Sequence, residues 1–137
     1  GTIKYSDNSF VVADIPGIIE GASKGVGLGT RFLRHISRTK MLLNLIDCYG
    51  KSYEDITAEI KKIRHELSTY DDKLIKKALW IVLNKIDLLN DDGIMRLKDM
   101  FKNYKTNVFF ISSTTKVGVK ELTDKIYEFL KYENRTK

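Results

Sequence analysis

Four short apolar runs, each closed by a polar residue, constrain this chain more than any other feature. Phe10-Val11-Val12-Ala13 ends at Asp14, and Met41-Leu42-Leu43-Asn44-Leu45-Ile46 ends at Asp47. Leu79-Trp80-Ile81-Val82-Leu83 ends at Asn84, and Val108-Phe109-Phe110-Ile111 ends at Ser112. Nearly continuous runs of this length read as strands buried on both faces. Thr2–Tyr5 is a weaker strand, set off from the next by the turn signal Asp7-Asn8. Between the runs the period changes. Tyr53, Ile56, Ile60, Ile63 and Leu67 step by three and four residues along one stripe, behind a Ser52–Asp55 capping box. Ile94, Leu97, Phe101 and Tyr104 repeat the pattern after Asp91-Asp92, and Val119, Leu122, Ile126, Phe129 and Leu130 make the last helix. An earlier helix runs from about Leu28 to Arg38. Such alternation predicts an α/β domain with a mainly parallel sheet and helices on both faces.

Composition narrows the classes. The 137 residues fit a single domain, residues 1–137, without internal repeats. No apolar run approaches the ~20 residues that span a bilayer, so no membrane association is expected. The single cysteine, Cys48, excludes an intramolecular disulfide framework and suits a reducing, cytoplasmic setting. A formal charge of +6 permits an anionic partner without identifying one. The chain opens on Gly1 and runs almost directly into a strand, which suggests a piece of a longer protein.

In open α/β sheets, ligands bind beyond the carboxyl ends of the strands, so the polar residues there carry the chemistry. Asp47 alone reads as the start of a loop. Asn84-Lys85-Ile86-Asp87 is more particular. A carboxylate at Asp87 can accept two parallel hydrogen bonds from a ring N–H and an exocyclic amine. Guanine presents that pair and adenine does not. The Asn84 amide can donate to a ring nitrogen, and the Lys85 stem can lie against the base face. This resembles the base-selecting N-K-x-D motif of GTPases.

Asp14-Ile15-Pro16-Gly17 closes the first apolar run. Asp14 suits a hard cation such as Mg²⁺, directly or through water. Gly17 lets a backbone N–H approach a phosphate oxygen. A tight turn after a strand would use the same Pro-Gly pair. Ser112-Ser113 resembles the S-A motif, whose second backbone N–H meets the guanine carbonyl. Ser113 stands in place of the usual alanine.

In this order the three motifs resemble the second half of a P-loop, Ras-like GTPase domain. The longer match is sharper. Asp14-Ile15-Pro16-Gly17-Ile18-Ile19-Glu20-Gly21-Ala22 continues through Gly25-Val26-Gly27-Leu28-Gly29 to Phe32-Leu33-Arg34-His35-Ile36 and Arg38-Thr39. That segment resembles the Obg family, as do Tyr70-Asp71, Leu74 and Gly118-Val119-Lys120-Glu121-Leu122. The resemblance implies GTP and GDP as ligands, Mg²⁺ as cofactor and a monomer acting in assembly of the large ribosomal subunit. By the same resemblance Asp14, Ile15, Pro16 and Gly17 serve Mg²⁺ and the γ-phosphate. Asn84, Lys85, Ile86, Asp87, Ser112 and Ser113 serve guanine.

Three features modify that expectation. First, the sequence contains no G-x-x-x-x-G-K-[ST]. In the family the P-loop, its strand and the Mg²⁺-binding threonine of switch I precede this region. The expectation is a domain missing its first strand and P-loop, inactive by itself, with a gap of about 10 Å between the strands ending at Asp14 and Asp47. Either those strands close up, a neighbour fills the gap, or the chain is only part of the molecule. Second, Ile18 occupies the position where Ras-like enzymes carry the water-orienting Gln, and an aliphatic chain can neither donate nor accept. This implies slow hydrolysis with the catalytic group unassigned, alongside a packing role for Ile18. Third, Arg31, Arg34 and Arg38 share one helix face in a stretch without acidic residues. That face is either solvated or a contact for ribosomal RNA phosphates. His35, between the faces, reads as structural. The rival to a GTPase is a non-catalytic ribosome- or RNA-binding protein with a vestigial nucleotide site.

Overall fold

The computed structural model describes Thr2–Tyr5, Asn8–Val11 and residues 40–70 and 72–135. Strands β1 (Thr2–Tyr5) and β2 (Asn8–Val11) form an antiparallel hairpin in which Thr2 faces Val11 and Tyr5 faces Asn8. Then follow β3 (Met41–Asp47), α1 (Tyr53–Tyr70), β4 (Ala78–Asn84), α2 (Asp91–Met100), β5 (Val108–Phe110) and α3 (Val119–Arg135). Short 3-10 turns at Asp72–Lys76 and Ile86–Leu88 flank β4.

β3, β4 and β5 form a parallel sheet in that spatial order. Parallel neighbours need crossovers, and α1 and α2 supply them. Both helices start at a side-chain cap, the first at the expected Ser52–Asp55 box and the second at Asn90, one residue before Asp91-Asp92. The Asp55 N–H donates to Ser52 Oγ and the Ser52 N–H to Asp55 Oδ2, each at 3.1 Å. Asn90 caps α2 by accepting from the Gly93 N–H at 2.7 Å. Caps of this kind contribute about 1 kcal/mol each. The α2 stripe outlasts its helix: Phe101 is the C-cap, and Tyr104 lies in the following turn with its ring centroid 5.4 Å from that of Phe101.

The sheet separates two apolar layers. On one face Ile46, Cys48, Ile81 and Leu83 pack with Ile56 and Ile60 of α1 and with Leu97 and Phe101 at α2. On the other, Trp80, Val82 and Ile111 pack with Leu122 and Ile126 of α3. The Trp80 ring lies edge-on to Phe129 of α3, with centroids 5.5 Å apart. This gives the three layers expected of the alternating pattern.

Burial on both faces holds for β4, whose residues from Leu79 to Asn84 are all buried. It fails for β3. Asn44 and Ile46 are buried beneath α1, whereas Leu43 is 37% and Leu45 62% exposed on the opposite face. The reason is position. On that face the α3 layer packs on Trp80 and Val82 of β4 and takes in neither Leu43 nor Leu45. Among the described residues no ladder joins β2 to β3, and β3 pairs only with β4.

The predicted helix from 28 to 38 lies outside the described residues, as do the end of the first apolar run and Ile18 and His35.

Candidate nucleotide-base site

The carboxyl ends of β3, β4 and β5 bring Asp47, Asn84 and Ser112 to one edge of the sheet. The ladder aligns Asp47 with Asn84. β5 pairs through Phe110 with Leu83, and the Ile111 N–H donates to the Leu83 carbonyl at 2.8 Å, which carries Ser112 alongside.

Asn84 is buried and joins the two loops. Its Oδ1 accepts from its neighbour's N–H, that of Lys85, at 2.8 Å and from the Ser113 N–H at 3.0 Å. Its Nδ2 donates to Ser113 Oγ at 3.3 Å. Its carbonyl accepts from the Cys48 N–H at 3.0 Å and from Cys48 Sγ at 3.1 Å. Burial raises the Cys48 thiol pKa, so the sulfur is held protonated as a donor.

After Asn84 the chain turns sharply. Lys85 is left-handed, with φ 73° and ψ 31°. That conformation is uncommon for a residue with a side chain and is often found at ligand clamps. The turn buries Ile86, whose N–H donates to the Ile111 carbonyl at 3.3 Å. It leaves Asp87 exposed. The Lys85 ammonium lies 3.0 Å from Asp47 Oδ2.

Ser112 is fully buried, and its hydroxyl donates to Asp87 Oδ1 at 2.9 Å while accepting from the Thr115 N–H at 3.0 Å. Backbone bonds fix the serine in turn: its N–H to the Val117 carbonyl at 2.9 Å, and Lys116 N–H to its own carbonyl at 2.8 Å. The loop closes at Gly118, with φ +77°, where a Cβ would collide with the Phe110 carbonyl oxygen. Asp87 is thus a carboxylate open to solvent but held on one oxygen by an immobile donor. Its remaining lone pairs can accept two parallel N–H groups.

The structure brings together six of the predicted site residues: Asn84, Lys85, Ile86, Asp87, Ser112 and Ser113. The Ser113 N–H, expected to meet a guanine carbonyl, donates here to Asn84. The other group, Asp14, Ile15, Pro16 and Gly17, lies outside the described residues, as do Arg31, Arg34 and Arg38. Among the described residues no cluster of three His, Cys, Asp or Glu side chains could hold a metal, and no helix is long and apolar enough to cross a membrane. Sequence reasoning missed Asp47 and Cys48. The only signal for Asp47 was that two apolar runs end in polar residues; the ladder aligns it with Asn84, while Cys48 reaches the Asn84 carbonyl by hydrogen bonds.

A three-layer α/β domain with a parallel sheet and these motifs at its strand ends is consistent with a P-loop GTPase fold. Residues 1–85 match the family model described as "50S ribosome-binding GTPase". The chain is 42% identical over 138 residues to the GTPase Obg of Buchnera aphidicola subsp. Baizongia pistaciae. It is 41% identical over 133 residues to GTPase Obg of Lachnoclostridium phytofermentans. These matches cover 98% and 94% of the chain, but 41% and 31% of the relatives. A solved structure described as nucleolar GTP-binding protein 1 from Plasmodium falciparum superposes with TM-score 0.55 at 22% identity, covering 99% of this chain and 71% of that one. This last likeness concerns the fold. The chain belongs to the 50S ribosome-binding GTPase family, as part of an Obg-type G domain.

Proposed function

We propose that this chain supplies the guanine-reading half of a GTP-binding site in a protein that hydrolyses GTP slowly and acts in large ribosomal subunit assembly in the cytoplasm. The observation that carries the base reading is the geometry of Asp87, exposed yet held on one oxygen by buried Ser112. Bound guanine would place its N1 and N2 protons on the Asp87 carboxylate. The Lys85 stem would lie along the base, and the Ser113 N–H, shared with Asn84, would meet the guanine carbonyl. Asp14 and Gly17 are proposed for Mg²⁺ and the γ-phosphate from the motif alone. When bound, Mg²⁺ would supply charge neutralisation at the phosphates. The family description supports a ribosomal partner, and Arg31, Arg34 and Arg38 are the proposed RNA contacts.

Base choice tests the reading. Adenine lacks both protons and turns its N1 lone pair toward the carboxylate. Losing two charge-assisted bonds disfavours ATP by at least ~3 kcal/mol, more than a hundredfold. Asp87→Asn should favour xanthine nucleotides, because the amide donates to the xanthine 2-carbonyl and still accepts from N1–H. The measurement is competition of GTP, ATP and XTP against labelled GDP on the full-length protein. A mutant that keeps GTP over XTP removes Asp87 as base reader.

A second reading draws on the missing G-x-x-x-x-G-K-[ST]. Without a P-loop, the 137-residue chain alone is expected to release no phosphate from GTP above background. Robust turnover that is lost in Asp14→Ala would refute this.

A further inference from the structure

Asp47 plays no part in the base reading, yet it holds one of the residues that does. It stands opposite Asn84 in the ladder, at the end of a strand that carries no other site residue. Lys85 follows Asn84 in a left-handed turn, and its ammonium meets Asp47 Oδ2 at 3.0 Å. The two side chains are 51% and 49% exposed, so both remain within reach of a ligand. The nearby cation Lys51 is already engaged, with its Nζ 2.9 Å from Glu59 Oε2. An untethered lysine would sample many rotamers, and ordering it on binding costs conformational entropy.

We propose that Asp47 is a positioning residue for purine binding: it tethers the Lys85 ammonium so that the Lys85 methylene stem is already laid along the base position when a guanine nucleotide arrives. This rests on the base-site reading of Asn84–Asp87. The tether makes no contact with the ligand. Its effect is preorganisation, which removes part of the ordering cost of binding.

The sign of the effect distinguishes this role from plain electrostatics. Asp47 is an anion beside a site for an anionic ligand. Were it only a bystander, Asp47→Asn would remove repulsion and tighten nucleotide binding. As a tether, its loss weakens binding. Exposed ion pairs are modest, so the expected loss in GDP affinity is about two- to fivefold.

The test is titration of the full-length protein with fluorescent GDP at ~20 mM and ~1 M NaCl, where the Debye length falls to about 3 Å. Asp47→Asn should weaken binding at low salt, and the gap to wild type should close at high salt. In Lys85→Met, which keeps the stem and loses the charge, Asp47→Asn should cause no further weakening. Asp47→Glu should recover most of the affinity. Equal or tighter binding by Asp47→Asn at low salt overturns the proposal. So does a loss that persists in Lys85→Met, since it would then act through something other than the lysine. If the wild type binds no GDP, or Asp87→Asn keeps its preference for GTP over XTP, the base reading itself fails and this proposal with it. If Asp87→Asn switches preference while Asp47→Asn is silent, only the tether is refuted.

Discussion

Replacing Ser112 with alanine would delete one buried hydroxyl that has two partners, the Asp87 carboxylate at 2.9 Å and the Thr115 N–H at 3.0 Å. A hydrogen bond to a charged group contributes about 1.5–3 kcal/mol when both groups are shielded. Asp87 is exposed, so water would solvate the freed carboxylate and the loss falls to ~1 kcal/mol. Thr115 is exposed as well, and its N–H would exchange a protein acceptor for water at about 0.5 kcal/mol. The missing oxygen leaves too small a void to add much. The sum is roughly 1.5 kcal/mol, more than a tenfold shift in the folding equilibrium. Urea unfolding of wild type, Ser112→Ala, Asp87→Ala and the double mutant measures it. The coupling between the two sites should be about 1 kcal/mol. GDP affinity of Ser112→Ala should fall severalfold, because the Asp87 carboxylate, the proposed base reader, can then rotate away. A cost below ~0.5 kcal/mol, or additivity with Asp87→Ala within ~0.3 kcal/mol, would refute the claim that Ser112 holds Asp87 in place.

Gly118→Ala should cost at least ~2 kcal/mol, since φ +77° disfavours a side chain and the new Cβ meets the Phe110 carbonyl; a near-neutral urea midpoint would contradict this. Cys48 should react with a thiol reagent about a hundredfold slower in the native protein than in urea, and equal rates would show that its burial is misjudged. The Cys48 pKa is raised by burial, so its contribution to stability is complete below its ordinary 9.0 and is lost as pH rises through the folded value. Stability should accordingly fall more between pH 8 and pH 10.5 in wild type than in Cys48→Val, the rise in the Tyr104 pKa being common to both. Replacing Arg31, Arg34 and Arg38 together with Gln should weaken binding to large ribosomal subunits and flatten its salt dependence by about three phosphate contacts' worth; an unchanged slope returns that face to solvent.

What the sequence determined by itself was the order and type of the elements and the chemistry at their ends. Hydrophobic period and capping are local, so β3, β4, α1 and α3 and the N-terminus of α2 could be placed from residues close together in the chain. The same holds for Asn84–Asp87 and Ser112–Ser113, where residue types and spacing carry the meaning. Tertiary structure decided everything that depends on which strand ends lie side by side. Leu43 and Leu45 belong to an apolar run like that of β4, yet they are exposed because the α3 layer packs on Trp80 and Val82 of β4 and takes in neither of them. Asp47 resembled a loop start until the ladder set it opposite Asn84 and within 3.0 Å of Lys85. Cys48, a lone thiol in the sequence, became the anchor of the Asn84 carbonyl. Hydrogen bonds and ion pairs act over a few ångströms, and these partners are 36 to 38 residues apart in the chain. Only folding brings them within range.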